Sequence, residues 1–481
     1  MSAERYNAVI IGAGTAGLVT AAATASLGGR VALIERRHMG GDCLNFGCVP
    51  SKALIASARA VEHMRHADRW GLEAAEPAFA FGKVMERLRA RRAQIAPNDS
   101  QERFEKLGVE VLRGEASFVS PREVRVEGRT LNAANFVIAT GTRPAVPKLA
   151  GLENVSYFTN ETIFDQLNDR PESMLILGGG PIGCEMAQAF ARLGVQVTLA
   201  HRGPRLLPKE DPEASTLVER VLSADGVSCL LEASAEKVRP EANGIAVTFR
   251  QGEQTMERRA ATLLVAAGRK PNTDSLNLEA AGVHFGEHGV EVNSRLQTSH
   301  PHIFAAGDIA GPFRFTHMAD YQARIVARNI LAPFAFLQSK VDYSTVPWCT
   351  YLDPEVARVG WNEDEARKRG VAYDVYRLPL AEVDRAVVED ETEGFVKVLT
   401  PRGKDRILGV TLVAAHGGDL LHEFVLAMRC GIGLGKISGV IHAYPTFAEI
   451  ARKTGDAYQK TRLTPFAKKL FRHLYERARR S

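Results

Sequence analysis

NAVIIGAGTAG, from Asn7 to Gly17, is a short apolar run followed at once by three glycines, Gly12, Gly14 and Gly17. An alanine-rich helical stretch comes next, and a second apolar run, RVALIE, ends on Glu35. Strand, glycine loop, helix and acid-ended strand together form a complete dinucleotide-binding unit; a lone glycine pattern would read as an ordinary strand–helix turn. The glycines allow a tight turn and bring backbone N–H groups close to a pyrophosphate, whose charge the helix N-terminus faces. Glu35 stands where a carboxylate bonds both hydroxyls of an adenosine ribose.

The unit recurs. MLIL (Met174–Leu177) is its strand, Gly178, Gly180 and Gly183 form GGGPIG, a helix follows, and VQVTLA is the next strand. The interval from third glycine to ribose position is 18 residues in both copies, Gly17 to Glu35 and Gly183 to His201. The second copy has His201 in place of the acid, with Arg202 beside it and Arg205 and Lys209 nearby. A carboxylate there would repel a 2′-phosphate, whereas a guanidinium binds one through two hydrogen bonds. The second site therefore leans towards NADPH over NADH; the alternative is that Arg202 and Lys209 are solvated surface charges. Two dinucleotide sites in one chain suggest two nucleotides that react with each other, most economically a flavin and a nicotinamide.

Composition sets the bounds. A chain of 481 residues, 45% hydrophobic, is long enough for two or three domains with large cores. No run of 18 or more apolar residues appears. The start, MSAERYNAVIIGAG, leads straight into a strand, as a folded domain does and a signal peptide does not, so a cytoplasmic location is expected. The net charge of +5 is uneven. Between Lys460 and Ser481 eight Lys and Arg face the single Glu476, which gives +7 there and leaves −2 for the remainder. A near-neutral body does not indicate nucleic-acid binding.

GGDCLNFGCVPSK, Gly40 to Lys52, holds two of the six cysteines, Cys43 and Cys48, with four residues between them and a helical run behind. Thiols at a helix start have lowered pKa values. In a reducing cytosol a close pair is catalytic or metal-binding more often than structural. A zinc site needs about four ligands, and no second Cys or His pair with metal spacing exists here, so no metal site is expected. In a dinucleotide enzyme the pair reads as a redox-active disulfide, with electrons passing from nicotinamide to flavin to disulfide to substrate. Cys184, Cys229, Cys349 and Cys430 are expected to be buried filler.

At this point the chain resembles the FAD-dependent pyridine nucleotide–disulfide oxidoreductases, the family of lipoamide dehydrogenase, glutathione reductase and mercuric reductase. GAGTAG, GGDCLNFGCVPSK, ATGTRP (Ala139–Pro144), GGGPIGCE, AAGRKPN (Ala266–Asn272), FAAGDI (Phe304–Ile309) and YPTFAE run in family order over about residues 5–460. The resemblance implies an α/β fold: two Rossmann-like domains, for FAD and NAD(P), and a C-terminal α+β dimerisation domain. The FAD domain would comprise 1–150 and 271–340, the NAD(P) domain 151–270 and the dimerisation domain 341–460, with 461–481 as a basic amphipathic tail. Cys48 would lie against the flavin as the charge-transfer thiolate, and Cys43 would be the interchange thiol that meets the substrate. Lys52 and Glu185 would pair near the flavin ring, and Asp308 would bond the ribityl chain. Gly41, Ala116, Thr140 and Gly141 would belong to the FAD site, and Gly268 and Arg269 would also contact cofactor. The protein would be a homodimer whose active sites borrow residues from the partner subunit.

The chain also departs from the family pattern. Thiol-handling members carry His-Pro-Thr near the C-terminus, the His serving as acid and base and a Glu five residues on orienting it. Here HAYPTFAE, His442 to Glu449, keeps Pro445, Thr446 and Glu449 but has Tyr444 at the His position. A pKa of about 10 makes tyrosine a poor base near neutrality, where His suits. Either His442 takes the role, or the substrate needs no such base, which favours a metal ion, a quinone or a reactive oxidant over a dithiol. The plainer expectation for His442 itself is a packed, hydrogen-bonded residue. Mercuric reductase resembles this chain in its Tyr, but the C-terminal cysteines that pass mercury inward have no counterpart after Cys430.

Thr464 and Pro465 read as an N-cap and a first helical residue, and Phe466, Leu470, Phe471, Leu474 and Ala478 follow helical spacing among basic residues. Such a helix can make weak contact with an anionic membrane surface; packing on its own dimer is the plainer expectation. The functional expectation is an enzyme that passes electrons from NADPH through FAD and Cys43–Cys48 to a small-molecule acceptor. The alternatives are a dihydrolipoyl dehydrogenase using NAD and a low-turnover redox sensor.

Overall fold

The computed structural model describes residues 5–480. The chain divides into two compact units. The first holds Met1–Ala60, Ala78–Arg202 and Gly226–Asp342, and the second holds Val61–Pro77, Gly203–Asp225 and Tyr343–Ser481.

In the first unit the opening motif forms β1 (Tyr6–Ile11), α1 (Thr15–Ser26) and β2 (Val31–Glu35), and the cysteine stretch leads into α2 (Cys48–Arg65). Four strands follow: β3 (Val109–Arg113), β4 (Ala116–Ser120), β5 (Glu123–Val126) and β6 (Arg129–Ile138). The second motif forms β7 (Ser173–Leu177), α3 (Pro181–Arg192) and β8 (Gln196–Ala200), after which come β9 (Ser228–Leu230), β10 (Thr262–Val265), β11 (Ile303–Ala305) and α4 (Thr316–Leu331).

One sheet has the order β3-β2-β1-β6-β5-β4, with β11 also paired to β6. β1 runs parallel to both neighbours, Ile10 facing Leu33 and Val137. Its apolar residues alternate between two cores, Val9 and Ile11 on one face, Ala8 and Ile10 on the other, as a strand covered on both sides requires. The second motif builds a parallel sheet, β9-β8-β7-β10.

The two motifs fold alike. Gly12 and Gly178 have φ of +105° and +124°, a region that favours glycine. A Cβ on Gly17 would lie 1.8 Å from the Gly12 carbonyl oxygen, and one on Gly183 would lie 1.8 Å from that of Gly178. The third glycine of each motif is thus fixed by contact between helix and loop.

The second unit is built on an antiparallel sheet of β12 (Pro347–Thr350), β13 (Glu355–Gly360), β14 (Tyr373–Pro379), β15 (Phe395–Pro401) and β16 (Gly409–Ala414), in the order β12-β13-β16-β15-β14. Helices α5 (Gly417–Arg429) and α6 (Glu449–Arg462) pack on it through Leu421, Phe424, Ile450 and Tyr458. α7 (Pro465–Ala478) ends the chain, capped by the Thr464 hydroxyl, which accepts from Ala467 N–H.

A buried ionic cluster joins Gly203–Asp225 to this sheet. Lys397 Nζ on β15 lies 3.0 Å from Asp211 Oδ1, 2.9 Å from Glu213 Oε2 and 3.2 Å from Glu363 Oε1. Arg358 on β13, fully buried, donates to the Lys209 carbonyl and pairs with Glu365. The Trp348 indole N–H donates to Glu210 Oε1 at 2.7 Å.

Candidate active site

In the first unit the cysteine loop is laid on the first glycine loop. Gly40 N–H donates to the Ala13 carbonyl at 2.9 Å, and a Cβ on Gly41 would lie 2.6 Å from Gly14 Cα. Cys43 lies on a short helical turn, Gly41–Asn45, and Cys48 opens α2. The two thiols differ in acidity. A hydrogen bond from Cys43, then the Thr316 hydroxyl and the Lys52 charge, lower the Cys48 pKa to about 6. The same bond to Cys48, with burial, pushes the Cys43 thiol up. These directions favour the thiolate at Cys48 and the proton at Cys43 in the reduced pair.

Lys52, one helical turn along α2, reaches Glu185 on α3, with Nζ 2.8 Å from Oε2. Thr316, the first residue of α4, places Oγ1 3.3 Å from Cys48 Sγ. Thr316 is a residue the sequence reading missed: it lies 268 positions from Cys48 and belongs to no motif. Replacing it with valine removes a hydroxyl donor to the thiolate. The Cys48 titration midpoint then rises by about one pH unit from its value near 6. Thiolate absorbance of the reduced protein against pH measures the shift, and an unmoved midpoint would refute the assignment.

The dinucleotide cradle around β1 fits its ligand. A Cβ on Gly12 would meet the Ala139 carbonyl oxygen at 2.5 Å, so the loop presents bare backbone. Glu35 Oε2 accepts from Ala13 N–H at 2.7 Å and Oε1 from Arg37 N–H at 2.7 Å, which holds the carboxylate at the loop. Asp308 accepts from the Thr142 hydroxyl at 3.2 Å, and burial pushes its carboxyl above the usual range. Such a group suits ligand hydroxyls. Thr140 exchanges two hydrogen bonds with Asn272, and Gly141 follows at φ +63°. Arg269 bonds Thr142 and pairs with Asp42 at 3.1 Å, and Gly268 takes φ +135° just before it. Ala116 is buried in β4 opposite Val126.

In the second motif His201 does locally what Glu35 does in the first. Gly179 N–H donates to His201 Nδ1 at 3.2 Å, as Ala13 N–H does to Glu35. Burial, and then Arg202, lower the His201 pKa, which favours the neutral ring. Arg202 is exposed at the end of the first unit; Lys209 is exposed in the second.

The C-terminal residues lie in the second unit. The Tyr444 hydroxyl donates to Asp384 Oδ2 at 3.0 Å, and that carboxylate raises the Tyr444 pKa. Tyr444 is 70% exposed. His442 is engaged at both ring nitrogens, Nδ1 at 3.0 Å from the Val440 carbonyl and Nε2 at 3.1 Å from both Glu423 oxygens. Glu449 is buried; Oε1 pairs with Arg452, and Oε2 has no partner among the described residues. Among the other cysteines, Cys184 is buried, Cys229 and Cys349 are half-buried, and Cys430 is exposed at the end of α5, against the expectation that it fills a core.

Comparison with known proteins agrees with this architecture. A family model described as pyridine nucleotide-disulphide oxidoreductase matches residues 6–323, and one for that family's dimerisation domain matches 346–454. The chain is similar to a mercuric reductase of Lysinibacillus sphaericus, 34% identical over 93% of this chain and 81% of the relative. It is also similar to a dihydrolipoyl dehydrogenase of Geobacillus stearothermophilus, 32% identical over 93% of this chain and 95% of the relative. Among solved structures it resembles a Cu(II) complex of the HOCl-induced flavoprotein disulfide reductase RclA from Escherichia coli. The TM-score is 0.84, with 28% identity over 94% of this chain and 99% of that one.

Proposed function

Because the chain belongs to the pyridine nucleotide-disulphide oxidoreductase family, we propose that it is an NADPH-driven reductase whose acceptor is a metal ion, a quinone or a reactive oxidant rather than a dithiol. It is an FAD-dependent oxidoreductase using a pyridine nucleotide. FAD, when bound, supplies the two-electron relay between nicotinamide and disulfide. A hydride equivalent from NADPH breaks the Cys43–Cys48 disulfide and yields NADP⁺, the Cys43 thiol and the Cys48 thiolate; the pair then passes two electrons to the acceptor, the S–S bond forms again and the Cys43 proton is released.

The chain's own residues divide the work. Cys48, with the lowered pKa, is the thiolate on the nucleotide side, held by Thr316 and Lys52. Cys43 keeps its proton and meets the acceptor. Lys52 and Glu185 hold each other in place beside the pair.

The observation that carries the choice of acceptor is the state of Tyr444. Its hydroxyl is donated to Asp384 and its pKa is raised, so it does not accept a proton near neutrality. His442 supplies no replacement, because both ring nitrogens are engaged. The similar proteins named for reducing mercury or induced by HOCl point the same way. The family's dimerisation domain supports a homodimer, and a shared active site, with Tyr444 and Glu449 supplied by the partner, completes the proposal. The proposed compartment is the cytoplasm; no helix among the described residues is long and apolar enough to cross a membrane.

Anaerobic titration with NADPH tests the electron path. A long-wavelength band with the flavin still oxidised is the expected result, and bleaching without it would exclude the disulfide. Assays with Hg(II), Cu(II) and a quinone then test the acceptor against dihydrolipoamide with NAD⁺. Turnover with the last pair at a dehydrogenase's rate would overturn the reductase reading, and a reduced protein that no acceptor reoxidises would favour a sensor.

Coenzyme choice follows from His201 and Arg202. Arg202→Ala is expected to raise KM for NADPH roughly tenfold or more and leave KM for NADH nearly unchanged, the loss of one charge-assisted phosphate contact. Equal effects on both coenzymes would remove Arg202 from phosphate recognition.

A further inference from the structure

α7 buries none of its residues. At about 100° per residue, Phe466, Leu470, Leu474, Phe471 and Tyr475 fall within one half of its circumference, in that order around the helix. All five are exposed, Phe466 at 77% and Tyr475 at 70%. Three cations, Lys468, Arg479 and Arg472, follow the Tyr475 edge of this face; Lys469 lies beyond its Phe466 edge, and Arg477 falls inside it between Phe466 and Leu470, near the C-terminal end. The one acid, Glu476, falls at the centre of the opposite half. No cation of this helix has an acidic partner among the described residues.

This distribution selects among occupants for the open face. Two copies of α7 laid face to face would bring cationic flank against cationic flank with no carboxylate to meet them. A neutral apolar surface would leave the flanking cations unused. An anionic bilayer surface satisfies both parts. The apolar half enters the headgroup boundary, the long basic side chains extend sideways to lipid phosphates, and Glu476 points to water. We propose that α7 is an amphipathic anchor that seats this protein on an anionic lipid surface.

Co-sedimentation of the full-length holoprotein with vesicles tests this, comparing phosphatidylcholine alone with phosphatidylcholine containing phosphatidylglycerol. Binding is expected only with phosphatidylglycerol and is expected to weaken as salt is added. Lys468→Gln/Arg472→Gln/Arg479→Gln is expected to weaken partitioning roughly a hundredfold, at about fivefold per cation. Leu470→Gln/Phe471→Gln is expected to abolish it while leaving flavin absorbance and turnover unchanged, which shows that the variant is folded. Three results would overturn the proposal. One is no binding to phosphatidylglycerol vesicles, and another is binding indifferent to Leu470→Gln/Phe471→Gln. The third is a lower mass for that variant in light scattering, which would make a second copy the occupant.

Discussion

Replacing Cys43 with serine stops the reduction of every acceptor served by the dithiol, a loss of roughly a thousandfold or more, as when a covalent nucleophile is removed. The two cysteines are not equivalent, so their serine variants should differ in spectrum while sharing the loss of turnover. Cys43→Ser keeps Cys48 beside Thr316 and Lys52, so a thiolate persists and its long-wavelength band is present without any added reductant. Cys48→Ser leaves only Cys43, whose thiol burial keeps protonated, and the band is absent. In both the native dithiol and Cys43→Ser the band is lost as pH falls through the Cys48 midpoint, because protonation removes the thiolate. A band retained in Cys48→Ser would reverse the assignment of the two thiols.

The second large effect is on stability. Among the described residues Lys397 is the only cation paired with Asp211, whose side chain is 1% exposed, so Lys397→Met leaves that buried carboxylate without its ion-pair partner. The expected cost is about 3–5 kcal/mol. Lys397→Met/Asp211→Leu should recover most of it, because replacing both members of a buried pair by apolar groups is often nearly neutral. Thermal unfolding of the two variants decides the matter, and a double variant as unstable as the single one would show that packing, not charge, is at fault. The cluster also sets a pH window. Burial opposes the Glu213 and Glu363 charges, but their hydrogen bonds more than offset it, so both carboxyls lie below the ordinary range. Their contribution is present above that range and is lost as pH falls through the lowered values. Burial likewise opposes the Lys397 charge, and its three carboxylates raise its pKa nonetheless. That contribution is full below the ordinary lysine value and fades only as pH climbs through the raised one.

What could be read from the chain alone was whatever is local along it. Both glycine units are contiguous, and their strand–loop–helix order was legible because close helix–strand contact forces Gly at particular offsets. The same holds for α7, whose start is written in Thr464-Pro465. The cysteine spacing announced a reactive pair; which thiol is the thiolate came only from the family resemblance, and Thr316, 268 positions from Cys48, was not legible at all. His201 was read only as a missing acid; its bond to Gly179 depends on side-chain orientation, which no spacing encodes. The ionic cluster was invisible for a related reason. Lys397, Asp211 and Glu363 look like surface charges in an alternating strand and two helix starts, and only the tertiary fold buries them together.

The excursion of Gly203–Asp225 into the second unit has a bearing on ancestry and engineering. The crossover helix Pro212–Ala224 joins β8 to β9, two neighbouring strands of the nucleotide sheet, yet it is grouped with the dimerisation half. The two units thus alternate along the sequence. Cutting the gene between the two matched family regions, near residue 340, would divide the sequence but not the units: the upstream fragment would keep Asp211 and lose Lys397. Recombination that trades one half against another chain's is therefore expected to cost stability unless the sheet residue and its carboxylate are kept together or replaced together.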